Sequence, residues 1–166
     1  MNTLEQHNTG SLMNDIEKAI SIAVQAHSGQ KDKAGMPYVL HPIRLMLRQD
    51  SPEAMVVAVL HDVVEDTDIT FDQLAEAGFS VAVLEAISLL THDKNIPYMD
   101  YIKGIAGNAI ARQVKLADLI DNIDLSRIPN PQEKDHLRIQ KYQVAYDYLM
   151  HDNGSGKQGR TAVCPT

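Results

Sequence analysis

Residues 58–70 read AVLHDVVEDTDIT. They close an apolar run, because residues 54–60, AMVVAVL, contain no polar side chain. Such a run has the composition of a buried helix. His61, Asp62, Glu65 and Asp66 then follow within six positions. Carboxylates are almost never fully buried without a partner. An unpaired one in an apolar setting costs several kcal/mol or takes up a proton. A bound cation accounts for so many ionisable groups at the end of a core helix. His61 and Glu65 are four residues apart, as are Asp62 and Asp66, so on a helix each pair shares one face.

The rest of the chain bounds the answer. Its 166 residues suit one domain. A hydrophobic content of 44% fits a globular chain rather than a disordered one. No apolar run approaches the roughly 20 residues that span a bilayer, so no membrane partner is expected. The start, MNTLEQHNTGSLMND, lacks the basic residues and apolar stretch of a secretory signal. The single Cys164 leaves no internal disulfide, and a cytoplasmic location is the expectation. A net charge of −7 argues against binding a nucleic-acid polymer. It does not exclude a small anionic ligand. Oligomeric state is not legible.

Capping signals divide the chain into helices. Ser11 opens one to about His27, and a polar loop, SGQKDKAGMP, follows. A second helix starts near Tyr38. Ser51-Pro52 opens the helix that ends in the quoted stretch. Thr70 and Gln73 match a capping box, and Gly78 stops that helix. Ser80 caps the next, Pro97 opens another through Ile105, and Asn108 begins a long one through VKLADLIDNIDL. Asn130-Pro131 starts the last, which ends near His151. Nothing reads as a strand. The expectation is an all-α bundle of about seven or eight helices over residues 11–151, with disordered tails at 1–10 and 152–166.

Further metal-ligand types sit on other helices. His41 lies at a helix start, and Asp118 and Asn122 are one turn apart in VKLADLIDN. Alone, His41 beside Pro42 reads as a helix-start residue, and Asp118 as a solvent-facing acid. Together with His61-Asp62 they form an ordered set from three helices. Imidazole and carboxylate ligands suit a divalent first-row metal such as manganese, iron or zinc. Lys31, Lys33 and Arg138 are candidates for offsetting the charge of a phosphate.

Four collinear pieces carry a resemblance: AHSGQ at 26–30, GMPYVLHP at 35–42, AVLHDVVEDT at 58–67 and VKLADLIDN at 114–122. With them the chain resembles the HD-superfamily metal-dependent phosphohydrolases, in the (p)ppGpp-hydrolase branch that includes stand-alone small alarmone hydrolases. The resemblance implies an HD-domain helical bundle that removes the 3′ pyrophosphate of a guanosine alarmone. It implies His41, His61, Asp62 and Asp118 as ligands of a divalent metal, most simply Mn2+. Glu65 and Asp66 match the pair that positions and activates water. Asn122, Arg138 and Tyr142 match nucleotide contacts, and Lys33 joins them from the loop. His27 is read as supporting rather than ligating. The alternatives are hydrolysis of another phosphorylated nucleotide, or a metal-containing nucleotide binder with little turnover. The chain departs from the resembling pattern at Asp32, Leu119, Asp121 and Asp124, where basic residues are usual or the segment is commonly basic. These positions are expected to loosen the grip on so anionic a ligand.

Overall fold

A computed structural model describes residues 4–151, with side chains from residue 13 onward. The helices are α1 (Leu4–Ala26), α2 (Leu40–Met46), α3 (Pro52–Leu60), α4 (Val63–Asp66), α5 (Phe71–Glu76), α6 (Val81–Leu90), α7 (Tyr98–Ile105), α8 (Ala109–Ile123) and α9 (Glu133–His151). A 3-10 turn, Leu125–Arg127, joins α8 to α9. Counting α3 and α4 as one interrupted helix gives eight among the described residues, the all-α bundle expected. Outside the helices, Lys31 and Pro37 make an isolated bridge that closes the polar loop. No described helix is long and apolar enough to cross a membrane. Cys164 and residues 152–166 lie outside the described residues.

The capping signals act as read. Ser51 accepts from the Ala54 amide, Ser80 from Val83 and Asn108 from Ala111. Thr70 and Gln73 satisfy each other's amides in a complete capping box. Each cap removes an orphan donor of a first helical turn. Gly78 sits at φ +86°, the left-handed conformation that ends α5 and that a side chain disfavours. Three starts differ. α1 begins at Leu4, ahead of Ser11. α2 begins at Leu40 rather than near Tyr38. α9 begins at Glu133, where Asp135 reaches back to accept from the Gln132 amide.

α3 is the hub. It packs against α1, α2, α6 and α8. Ala54 and Val56 through Leu60 are at most 1% exposed, so the uniform apolarity of the run answers burial on every side. Fully burying each such branched side chain contributes about 1.5–3 kcal/mol. α2 and α8 also pack on each other. The end of α3, the start of α2 and the middle of α8 therefore meet at one point. There the helix expected to run on through the quoted stretch breaks. α3 ends at Leu60, His61 and Asp62 form a turn, and α4 restarts at Val63. Asp62 relaxes to φ −100°, ψ −4°, the region where many active-site residues sit.

Candidate metal centre and active site

Three of the four expected ligands form a tight group. His41, His61 and Asp118 each offer an atom within 4.8 Å of the others, and all three are buried. His41 Nε2 lies 3.2 Å from Asp118 Oδ1. Asp62 borders the group, its Oδ2 2.9 Å from His61 Nε2 and 3.8 Å from His41 Nε2. The sources are α2, the turn after α3, and α8.

The outer contacts fix how these groups point. His61 Nδ1 is 2.9 Å from the Ala58 carbonyl. A carbonyl only accepts, so Nδ1 carries a hydrogen, and in the neutral ring that ligates a metal Nε2 keeps the lone pair. That Nε2 is buried and, although Asp62 Oδ2 lies 2.9 Å away, makes no hydrogen bond, which leaves it open to a cation. His41 is set the same way. Its Nδ1 lies 2.8 Å from Asp121 Oδ2, leaving Nε2 toward Asp118. A carboxylate behind a ligating histidine fixes its tautomer and raises its basicity. Asn122 Nδ2 donates to Asp118 Oδ1 at 2.6 Å, and Lys115 Nζ to its Oδ2 at 2.7 Å. The Tyr38 hydroxyl donates to Asp62 Oδ2. The donor set fits a divalent first-row ion.

The field in the cluster favours positive charge. Burial opposes charging of His41, but its hydrogen bonds to Asp118 and Asp121 outweigh that and raise it to about 9. Burial likewise opposes ionisation of Asp118, yet the Lys115 ammonium and the two histidines hold it well below the usual carboxylate range. Asp62 is held at about 2, where His61 overcomes the cost of burial. Burial pushes the Tyr38 hydroxyl far up, and Asp62 adds to it, so it stays a donor. Asp66 moves up, through partial burial and the charges of Asp62 and Glu65.

A cavity of about 440 Å³ opens over the cluster. Tyr38, His41, Asp62 and Asp118 line it, with Glu65, Lys33, Asn122, Arg138 and Tyr142. Every substrate-binding residue predicted from the sequence is thus at the cavity. Glu65 Oε2 accepts from the His92 amide at 3.0 Å. Asp66 is not among the lining residues; its amide bonds back to the Asp62 carbonyl at 2.9 Å. His27 is no member of the metal group. It is buried, with Nδ1 2.8 Å from Gln30 Oε1 and its ring 4.9 Å from Tyr38.

The departing positions have structural work. Asp32 Oδ1 accepts from the Ala34 and Met36 amides and closes the loop turn. Leu119 is in the core, 1% exposed. Asp124 Oδ1 accepts from the Ser126 amide and caps the 3-10 turn. Asp121 is 2% exposed and binds Arg44 through both oxygens, at 2.9 and 2.8 Å. Arg127 Nη2 reaches the same carboxylate at 3.0 Å. The Asp121 charge is met inside the protein by Arg44 and Arg127, whereas Asp32 and Asp124 also line the cavity. The sequence reading gave no role to Lys115, Tyr38, Asp121 or Arg127. A signal existed for Lys115, three residues before Asp118 on an otherwise apolar helix face.

No protein-family model matches the chain. Curated relatives do. The chain is 34% identical over 139 residues to guanosine-3′,5′-bis(diphosphate) 3′-pyrophosphohydrolase MESH1 of Danio rerio, covering 75% of this chain and 76% of the relative. It is 34% identical over 147 residues to the Homo sapiens MESH1, covering 80% and 81%. Among solved structures it resembles a metazoan orthologue of SpoT that hydrolyses ppGpp and plays a role in starvation responses. The TM-score is 0.68, with 27% identity and 86% of each chain covered. Helical architecture, an ordered His/Asp cluster and relatives matched over most of their length converge: the chain belongs to the family of guanosine-3′,5′-bis(diphosphate) 3′-pyrophosphohydrolases.

Proposed function

We propose that this protein hydrolyses the 3′ pyrophosphate of guanosine alarmones, (p)ppGpp to GDP or GTP and pyrophosphate. In this reading one manganese ion is held by His41, His61, Asp62 and Asp118. One observation carries it: two imidazoles and two carboxylates converge beneath a cavity that also presents Lys33, Asn122, Arg138 and Tyr142. The activity named for the relatives supports the substrate.

When bound, the metal supplies a positive centre that acidifies water and polarises a phosphoryl oxygen. The chain's own residues do the rest. Glu65, steadied by the His92 amide, takes the proton of the attacking water. Asp66, with its raised proton affinity, is the second acceptor, one residue on. The bond between phosphorus and the ribose 3′ oxygen breaks. The water's oxygen leaves on pyrophosphate, and a proton returns to the 3′ oxygen. Lys33 and Arg138, both anchored on buried Asp135 at 3.5 and 3.6 Å, hold the nucleotide's phosphates. Tyr142 offers a ring face to the base. The test is product analysis of manganese-loaded protein with ppGpp, with and without chelator. Turnover to GDP and pyrophosphate that the chelator abolishes supports the reading. Turnover of a different nucleotide alone would replace it.

A further inference from the structure

Most cations that line the cavity already have an acid. Lys33 and Arg138 share Asp135, Arg44 and Arg127 share Asp121, and Lys115 holds Asp118. Lys141 differs. It lines the cavity from α9, and no ion pair engages it among the described residues. Its Nζ sits 4.4 Å from the centre of the Tyr98 ring and 5.4 Å from that of Tyr142. Ring faces attract an ammonium but do not neutralise it. The neighbouring groups lack acceptors too. The Tyr98 hydroxyl and Arg138 Nε are buried without a hydrogen-bond partner, and both residues line the cavity. Buried donors left unmet cost about 1–3 kcal/mol each. The wall between α7 and α9 therefore concentrates unpaired donors and one uncompensated positive charge, beside Arg138, three residues before Lys141.

We propose that Lys141, seated over Tyr98, is the specificity-determining cation for the second anionic arm of the substrate, the 5′ diphosphate that does not react. This rests on the reading of the site given above. The reacting 3′ arm belongs at the His/Asp cluster. The other arm brings a comparable negative charge into the same cavity, and this wall has a cation free to meet it. A phosphate oxygen also accepts from the donors that have no partner in the protein. Lys141 acts on binding, so its loss raises KM far more than it lowers kcat.

The test compares two substrates: ppGpp, and guanosine 3′-diphosphate with a free 5′ hydroxyl. Lys141→Gln raises KM for ppGpp about tenfold, the scale of one lost charge-assisted hydrogen bond. KM for the 5′-hydroxyl substrate stays near the parent value, and Lys141→Arg restores the ppGpp value. A KM increase equal for both substrates, or absent for both, overturns the assignment of Lys141 while leaving the reaction intact. A parent protein inert toward both substrates overturns the reading of the site, and this inference with it.

Discussion

Replacing Asp121 by alanine strikes the hinge between the metal cluster and the surface cations. The carboxylate accepts from His41 Nδ1, binds Arg44 twice and meets Arg127. Deleting one partner of a buried ion pair costs about 3–5 kcal/mol. The Arg44 and Arg127 side chains are 30% and 32% exposed, so water recovers part of their solvation. That places the expected loss lower, at about 2–3 kcal/mol. The second effect is on the metal. Without Asp121 the His41 ring loses the group that fixes its tautomer, and metal affinity falls by about 10–100-fold. Asp121→Asn separates the two. It keeps an acceptor for His41 but no charge for the arginines, so it loses stability and retains more of the affinity. Denaturant unfolding of the chelated protein reads the first effect, and calorimetric titration with manganese the second. Parent stability together with parent affinity in Asp121→Ala would refute the reasoning.

Two further outcomes are expected. Glu65→Gln keeps the metal but slows turnover by about 10²-fold or more, the scale of a lost general base; Asp66→Asn, outside the cavity lining, slows it less, and steady-state kinetics beside metal analysis checks the order. The second concerns pH. The folded His41 is raised from 6.5 to about 9, so its contribution is full below 6.5 and is lost as pH climbs through 9. The chelated protein loses roughly 3 kcal/mol across that window, and manganese flattens the dependence because it occupies the cluster in place of the proton. Unfolding curves at several pH values, with and without manganese, measure both; a chelated protein of constant stability contradicts the assignment.

The elements legible in the sequence were those whose cause is local. Ser51, Thr70, Ser80 and Asn108 cap their own helices, so each boundary could be read from a few neighbours. The ligand types were legible because His61 and Asp62 interrupt an apolar context that cannot hold them unpaired. The break after Leu60 was not legible, since no glycine or proline marks it. Asp121 was misjudged for a physical reason. Its partner His41 is 80 positions away, and only the packing of α2 on α8 turns an acid that looks hostile to phosphate into a buried support. Asp32 and Asp124 instead have local turn and cap roles beside Arg127 while still lining the cavity.

Phosphorus NMR of the reaction with ppGpp tests the central claim most directly. Manganese-loaded protein is predicted to convert the 3′ diphosphate resonances to pyrophosphate while the 5′ diphosphate resonances persist as GDP. Chelation, or Asp62→Ala with its lost metal, leaves ppGpp unchanged. Unchanged ppGpp beside brisk hydrolysis of another nucleotide, or full turnover by metal-free protein, would contradict the account.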